Sequence, residues 1–345
     1  MIDKFFKKIV NPKNKEVKVI VEMSGNHQGK FSGAKKFIDD AIKNGADAIK
    51  FQVYKPETIT LKSNKKDFLV KTTGVWGKYK TLHDLYKEAH TPWEWISKLA
   101  GLLNKKKFPW FASPFDATSV DFLEKLNCQA YKIASPEITD IPLVEKVLTT
   151  KKPIIFSSGM SPWDEIDTIV KQLSNSDLDY YIMQCTSKYP TPLNEIGLNL
   201  LPEIKNRYRC RVGLSDHSGN VLTLIFALAK GCSIVEFHIA FDKKMFGPDS
   251  SSSITIEDFK FLNKTNNYFK MLKYDTCKNE AGKNLELTKI KFSRSIGFKR
   301  NMKKGEIITN ENICWRKPGG YLSKNDLDNV IGKKLLKDVN KSFLL

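Results

Sequence analysis

Two histidines in this sequence stand at the ends of neighbouring strand-like segments. The stretch GLSDHSGN, residues 213–220, changes from apolar to wholly polar at Ser215, and the stretch EFHIAF begins at Glu236. If both stretches end strands, His217 and His238 could meet on one metal ion and leave coordination positions open for water or substrate. The alternative interpretation is a pair of structural histidines whose ring nitrogens are satisfied by hydrogen bonds.

Lysines, glutamates and serines recur at the ends of the other strand-like segments. Lys50 and Lys132, ringed by serines, have the charge and the donors that would hold a phosphate and a carboxylate. Glu22 and Glu236 could orient a sugar hydroxyl or move a proton, or could be only the partners of the lysines. The strand ends supply Glu22, Asn26, His27, Lys50, Gln52, Ser113, Lys132, Ser135, Ser157, Ser158, Thr186, Ser187, Tyr189, Ser215, His217, Glu236 and His238. Packing alone explains this convergence poorly, because each buried polar group needs a hydrogen-bond partner, so we predict one active site.

The elements that must position these residues alternate regularly along the first 240 residues. The segments rich in Val, Ile and Phe are residues 17–24, 47–54, 108–115, 130–135, 153–160, 180–187, 211–218 and 233–240. The segments between them, such as GAKKFIDDAIKNG, carry apolar residues three and four positions apart, as helices do. Eight such repeats predict an α/β fold, a (β/α)8 TIM barrel with its active site at the carboxyl ends of the strands. A doubly wound sheet also alternates, but more often shows a glycine-rich phosphate turn after its first strand.

The pattern changes after about residue 254 to a helical stretch, a charged connector and a short β-rich segment. The phrase RSIGFKRNMKKGEIITNENICWRKPGG indicates short strands separated by turns at Lys304-Gly305 and at Pro318-Gly319-Gly320. We predict two domains, a barrel with its connecting helix over residues 1–285 and a small β-rich domain over residues 286–345. Because about 50 residues are few for independent stability, we expect the small domain to pack on the barrel or on a second subunit.

Composition and charge narrow the possible functions. Lys and Arg number 57 against 38 Asp and Glu, so the net charge is +19. The basic residues are mostly Lys, are spread along the chain and form no Arg-rich tract, which favours a surface that attracts anionic substrates over nucleic-acid binding. The six cysteines form no CxxC pair, and the sequence shows neither a signal peptide nor a membrane-spanning segment. We expect a cytoplasmic protein that binds neither nucleic acid nor membrane.

A series of motifs, taken in order, resembles one enzyme family. The motifs are VEMSGNHQG, GADAIKFQVYKPETITL, YKIASPEITDIPL, GLSDHS, EFHIAF and GPD, followed by RSI and KKGEIIT. Over nearly its whole length the chain resembles the sialic acid synthases. The resemblance implies condensation of phosphoenolpyruvate with an open-chain N-acylated amino sugar to a nine-carbon ulosonic acid. It also implies a metal-dependent TIM barrel and a C-terminal antifreeze-like (SAF) domain that reaches over the partner's active site in a homodimer.

The same resemblance implies a role for each residue of the site. His217 and His238 would bind Mn or Mg, and both would be catalytic together with Glu22 and Glu236. The residues that would hold phosphoenolpyruvate are Lys50, Ser113, Lys132, Ser135, Ser157, Ser187 and Ser215. The residues that would face the amino sugar are Glu22, Gln52, Tyr189, Glu236 and Asp249.

Two departures from the family pattern concern the site. Where family members often have EKH, this chain has EFH, and alternation along the strand predicts that Phe237 points away from the pocket. Where the SAF domain usually presents KRP, this chain has Arg316-Lys317-Pro318, so that either Arg316 or Lys317 would enter the partner's site.

The insertion GVWGKYKTLHDLYKEAHTPWEW, residues 74–95, is most similar to that of the pseudaminic acid synthases within the family. The implied acceptor is a 2,4-diacetamido-2,4,6-trideoxy hexose of the altrose series, and the products are pseudaminic acid and phosphate. The alternative is synthesis of N-acetylneuraminate or legionaminic acid from a mannose-type acceptor. Two other functions compete: a Schiff-base aldolase that uses Lys50 or Lys132, and a polysaccharide-binding protein.

Overall fold

The chain forms two compact units in a computed structural model. The structure describes residues 17–70, 76–176, 178–243, 247–272 and 277–345. The first unit is Met1–Leu272 and the second is Lys273–Leu345. The domain boundary predicted between residues 285 and 286 falls inside the second unit, just before its second helix.

A closed barrel of parallel strands forms the first unit. The strands are β1 (Lys18–Glu22), β2 (Ala48–Val53), β3 (Trp110–Pro114), β4 (Tyr131–Ile133), β5 (Ile154–Ser157), β6 (Tyr180–Cys185), β7 (Arg211–Asp216) and β8 (Ile234–Ala240). Each strand pairs with the next, and β8 pairs with β1, which closes the sheet. All eight strands lie within the predicted segments, so the predicted TIM barrel is confirmed. A two-residue strand that the sequence did not indicate, β9 (Ile254–Thr255), adds to β8.

Helices cover the outside of the barrel. They are α1 (Phe31–Lys43), α2 (Pro56–Ile59), α3 (Leu82–Ala89), α4 (Trp93–Lys105), α5 (Ala117–Lys125), α6 (Ile141–Leu148), α7 (Trp163–Ser174), α8 (Leu200–Tyr208), α9 (Val221–Ala229) and α10 (Ile256–Met271). Helix α1 buries Ala34, Phe37, Ile38 and Ala41, whose three- and four-residue spacing forms one apolar face. Within the described ranges, no helix has the length and apolar character that a membrane crossing requires.

Strand β8 shows how the barrel separates core residues from site residues. Every residue of β8 is buried, as expected when helices cover the outer face of a parallel sheet. Phe237 packs against Phe259 of α10, with ring centroids 5.4 Å apart, so it points into the helix layer. Its neighbours Glu236 and His238 therefore point to the opposite side of the strand. This confirms the predicted orientation of Phe237.

The second unit is small and largely irregular. It contains α11 (Lys278–Lys283), α12 (Glu286–Phe292) and an antiparallel pair, β10 (Ser295–Phe298) and β11 (Ile313–Arg316). Its separate apolar core consists of Ile296, Phe298, Met302, Ile308, Ile313, Val330, Leu335 and Val339. Gly305 and Gly320 have φ values of +91° and +89°, as the predicted turns require. The assignment of this unit as a SAF domain stays a prediction.

Candidate active site

Two lysines and two glutamates form a buried charge network inside the barrel. Lys50 Nζ forms an ion pair with Glu22 Oε2 and lies 3.3 Å from Glu236 Oε1. Lys132 Nζ lies 2.5 Å from the same Glu236 oxygen. None of the four residues is more than 3% exposed. Their burial is tolerable because each charge has a partner of opposite sign on another strand.

Burial and the opposite charges together set the ionisation of this network. Burial opposes ionisation of Glu236, but Lys132 and Lys50 outweigh it and lower the pKa of this carboxyl to about 2. For Glu22 burial prevails and raises the pKa of the carboxyl, in spite of Lys50. Burial lowers the pKa of Lys132, whereas for Lys50 the two glutamates overcome burial and raise the pKa. Glu236 is therefore a fixed negative charge, and Glu22 is the carboxyl better suited to exchange a proton.

Serine hydroxyls lie beside both lysines, as predicted for an anion site. Lys132 Nζ donates to Ser215 Oγ at 3.2 Å, and Lys50 Nζ donates to Ser113 Oγ at 3.4 Å. Ser157, at the end of β5, is 1% exposed, and its hydroxyl has no hydrogen-bond partner among the residues described. Ammonium and hydroxyl donors at this density can replace the hydration of a phosphate or a carboxylate.

The imidazoles of His217 and His238 meet at the end of β7 and on β8. Their ring centroids are 5.3 Å apart, and both residues are buried. His217 Nδ1 lies 3.3 Å from the Thr186 carbonyl oxygen, which can only accept, so Nδ1 carries the proton. Its Nε2 therefore presents a lone pair, to which the Tyr189 hydroxyl donates at 3.3 Å. Burial lowers the pKa of both rings, helped at His217 by Lys132 and at His238 by His217 itself. Both rings are therefore neutral, the form that binds metal ions.

The histidine pair fits a divalent metal with open coordination positions. His238 Nδ1 is buried and lacks a hydrogen-bond partner within the part of the chain that the structure describes. That part contains no group of three or more His, Cys, Asp or Glu side chains arranged to hold a metal. A metal held by this pair would have two imidazole ligands and would leave positions for water or substrate. The metal itself stays a prediction.

One cavity opens onto these groups. Its walls are formed by Lys50, Gln52, Lys132, Ala134, Ser135, Pro136, Ser157, Cys185, Ser187, Tyr189, Ser215, His217, Glu236 and His238. All of them except Ala134, Pro136 and Cys185 are residues that the sequence analysis assigned to the site. The convergence of the strand ends on one place follows from the closed parallel barrel, which brings all carboxyl ends to one face.

Three further residues that were predicted for the site, Glu22, Ser113 and Asp249, are not among the residues that line the cavity. Glu22 and Ser113 reach it through Lys50, which both of them contact. Asp249 accepts a hydrogen bond from Ser24, just after β1.

Arg316 and Lys317 belong to the second unit, where both are exposed. Arg316 ends β11, and Lys317 Nζ lies 5.1 Å from the centre of the Phe292 ring. Their entry into a partner's site stays a prediction.

Some polar residues at the strand ends have structural roles instead. The Asn26 amide donates to the Ile239 carbonyl and to Ser253 Oγ, both at 2.9 Å, and so ties the end of β1 to the end of β8. Ser158 Oγ donates to the Met183 carbonyl at 3.3 Å. Asn26 and Ser158 are thus satisfied by hydrogen bonds within the protein, as buried polar groups with a structural role are expected to be.

Glu137 was missed by the sequence analysis. It ends a short 3₁₀ turn after β4, two residues beyond Ser135, and one of its carboxyl oxygens is buried without a hydrogen-bond partner in the described ranges. Burial raises the pKa of Glu137 to about 7, although nearby Lys50 opposes the shift. The feature of the sequence that could have identified Glu137 is an acidic residue shortly after the end of a predicted strand, in the motif IASPEIT.

Known proteins resemble this chain along most of its length. The sequence profile described as the NeuB family matches residues 37–276. A pseudaminic acid synthase of Campylobacter jejuni subsp. jejuni serotype O:23/36 (strain 81-176) is 35% identical over 94% of each chain. An N,N'-diacetyllegionaminic acid synthase of Campylobacter jejuni subsp. jejuni serotype O:2 is 29% identical over 96% of this chain and 99% of that one. The solved N-acetylneuraminic acid synthetase of Leptospira borgpetersenii serovar Hardjo-bovis has a TM-score of 0.69 at 25% identity, over 80% of this chain and 93% of that chain.

Proposed function

Because this chain belongs to the NeuB family, we propose that it condenses phosphoenolpyruvate with an N-acylated amino sugar and releases phosphate. The observation that carries the proposal is the cavity in which two buried lysines and their serines face a pair of neutral histidines. One half of the cavity suits a small dianion and the other half suits a metal-assisted carbonyl reaction. The product would be a nonulosonic acid of the sialic type.

We assign the anion half of the cavity to phosphoenolpyruvate. Lys50 and Lys132, which also pair with Glu22 and Glu236, would contact its phosphate and carboxylate. The hydroxyls of Ser113, Ser157 and Ser215 would donate to its oxygens. Supporting this, the Ser157 hydroxyl has no partner within the described ranges, so a ligand oxygen would satisfy it. Ser135 and Ser187 line the same cavity and are assigned to the same ligand.

We assign His217 and His238 as the protein ligands of Mn or Mg. The His217 Nδ1–H that faces the Thr186 carbonyl orients its ring and leaves Nε2 unprotonated, which is how metal-binding histidines are usually held. The Tyr189 hydroxyl that donates to Nε2 would give way to the ion. A bound ion would polarise the acceptor's aldehyde. The role of this chain is to hold both imidazoles neutral in a buried site.

The two glutamates have different tasks in the proposed reaction. The methylene carbon of phosphoenolpyruvate forms a bond to the aldehyde carbon, whose oxygen takes up a proton. Water then adds to the former enol carbon, and the bond from that carbon to the phosphate oxygen breaks, releasing phosphate. Glu22, whose pKa is raised by burial, would transfer a proton, whereas Glu236 stays ionised and orients the sugar together with Gln52, Tyr189 and Asp249.

We propose pseudaminic acid as the product, formed from a 2,4-diacetamido-2,4,6-trideoxy hexose of the altrose series. The support is the higher identity to the relative named a pseudaminic acid synthase than to the one named a legionaminic acid synthase. Synthesis of legionaminic or N-acetylneuraminic acid is the second candidate, because the cavity residues belong to motifs that the whole family shares.

We further propose that the second unit is a SAF domain and acts on the partner's site in a homodimer. Support comes from the RSI and KKGEIIT motifs and from the exposure of both Arg316 and Lys317. The exposed guanidinium of Arg316 is the better donor for an acylamino carbonyl because its planar fork offers several N–H groups.

Mass spectrometry of the products tests the proposed function. The protein is incubated with phosphoenolpyruvate, Mn and one sugar at a time from a panel that includes the altrose-type, mannose-type and legionaminic precursors. The expected result is a nine-carbon acid and phosphate from the altrose-type sugar, abolished by a chelator. Trapping of substrate on the protein by borohydride would instead support the Schiff-base aldolase. Binding of polysaccharide without any product would support the binding-protein function.

A further inference from the structure

The indole of Trp76 connects the insertion after β2 to two parts of the active site. Its Nε1–H donates to the Pro248 carbonyl at 3.0 Å. Its ring centroid lies 5.6 Å from that of Tyr189, with the two rings tilted by 40°. Tyr189 packs in turn on His217 at 4.3 Å, and Pro248 directly precedes Asp249. One side chain therefore contacts both Tyr189 and the turn that carries Asp249.

A second group of aromatic residues lies near Asp249. Tyr54, directly after β2, is 4% exposed, and its ring lies 5.6 Å from Tyr86 of α3 and 5.2 Å from Phe115. Burial raises the pKa of the Tyr54 phenol, and the nearby Asp249 raises it further. Burial also raises the pKa of the Tyr189 phenol, with contributions in the same direction from Cys185 and Asp249. The carboxyl of Asp249, which accepts a hydrogen bond from Ser24 Oγ, thus lies near aromatic rings.

We propose that Trp76 is a positioning residue that makes the acceptor end of the pocket selective for a deoxy sugar. The inference rests on the proposed function, and Trp76 is the residue that would set the acceptor preference of the synthase. By holding Tyr189 over His217 and fixing the turn before Asp249, Trp76 keeps an aromatic wall beside the carboxyl of Asp249, which can bind a sugar hydroxyl.

The chemistry of the indole explains the expected selectivity. An indole has one polar atom, and that of Trp76 is occupied by the Pro248 carbonyl, so its ring faces are apolar. A sugar methyl group placed against aromatic rings gives up no hydrogen bond. A hydroxymethyl group at the same place leaves its hydroxyl without the water that it bonded in solution. Apolar sites discriminate between such groups by roughly 10- to 200-fold.

A comparison of two acceptors with three variants of the full chain tests this inference. The acceptors are the 2,4-diacetamido-2,4,6-trideoxy sugar and its 6-hydroxy counterpart of the same stereochemistry. The variants are Trp76→Ala, Trp76→Phe and the matched control Trp163→Ala. Trp163 is likewise half-buried, but it lies on α7 and packs on Tyr208 at 6.3 Å. KM and kcat are measured for each acceptor and for phosphoenolpyruvate.

Trp76→Ala is expected to raise KM for the deoxy acceptor about tenfold or more and to affect the 6-hydroxy acceptor much less. KM for phosphoenolpyruvate should stay within about twofold, because Lys50 and Lys132 do not depend on the indole. Trp76→Phe keeps a flat apolar ring and should retain most of the preference. Trp163→Ala should behave as the wild type.

Three outcomes would overturn the inference alone: an unchanged acceptor preference in Trp76→Ala, equal losses for both acceptors, or a wild type that prefers the 6-hydroxy sugar. If thermal melting shows that Trp76→Ala does not fold, Trp76→Leu replaces it, since leucine retains apolar volume without the ring or the N–H. The same loss of preference is expected from it, and its absence counts against the inference. A wild type that converts no sugar of the panel would overturn the proposed function instead.

Discussion

Replacing Lys132 by methionine should weaken the binding of phosphoenolpyruvate far more than that of the acceptor sugar. Lys132 contacts Glu236 at 2.5 Å and Ser215 at 3.2 Å and lines the cavity beside Ser157. Methionine keeps the length and apolar stem of the side chain but removes its charge. Loss of a charge-assisted contact to a buried anion costs about 2–4 kcal/mol, and 1.4 kcal/mol is a factor of ten. KM for phosphoenolpyruvate should therefore rise on the order of 100-fold.

The same substitution also affects Glu236, whose charge Lys132 stabilises. A pKa of about 2 in place of 4.5 corresponds to about 3 kcal/mol in favour of the carboxylate. In Lys132→Met, Lys50 is the lysine that remains to provide that stabilisation, so the free energy of unfolding at neutral pH should fall. The double variant Lys132→Met/Glu236→Gln removes the poorly compensated charge and should regain stability without regaining affinity for phosphoenolpyruvate.

The assay is steady-state kinetics with each substrate varied in turn, together with thermal melting. The control is Lys146→Met, which removes a partly exposed lysine whose contact with Asp121 at 2.7 Å lies on the surface and contributes little. A KM for phosphoenolpyruvate within about threefold of the wild type, in folded Lys132→Met protein, would refute the assignment of the anion half. A rise in the acceptor's KM instead would mean that the two halves of the cavity are exchanged.

Four further predictions concern the metal, the bond cleaved, a buried carboxyl and the subunit arrangement. His217→Ala should abolish tight Mn binding measured by calorimetry and most turnover while the melting temperature stays close to the wild type; near-normal turnover would refute the ligand assignment. Labelled oxygen from water should appear in the ketone of the product and not in the phosphate, as mass spectrometry can determine. Burial raises the pKa of Glu137 to about 7 from 4.5, so the folded protein holds a proton that the unfolded chain releases, and stability falls as pH rises from 4.5 to 7. Glu137→Gln should thus be roughly 1–3 kcal/mol more stable than the wild type at pH 8 in urea unfolding, with no difference at pH 4. Mixed His217→Ala and Arg316→Ala subunits should regain activity if Arg316 serves the partner's site, whereas a verified heterodimer without activity would favour an arrangement within one chain. An Arg316→Ala homodimer that is fully active by itself would favour Lys317.

The sequence alone determined the elements of the barrel and most residues of its cavity. Alternation of apolar strands with helical periodicity predicts eight repeats, and a closed parallel sheet brings the carboxyl ends of all its strands to one face. Period-two alternation along β8 then places Glu236 and His238 on one side and Phe237 on the other. These inferences need only local spacing and one topological rule, and both can be read from the order of residues.

The tertiary structure decided which of these residues act on one another. Lys132 and Glu236 are 104 positions apart, and their contact depends on the strand register around the whole barrel. Trp76 meets Tyr189 and Pro248 only because an insertion folds back over the barrel end, and no periodicity indicates where a loop returns. The ionisation of Glu137 likewise depends on burial and on neighbouring charges. These quantities are set by distances between residues remote in the chain, so they follow from the packed structure and not from local sequence.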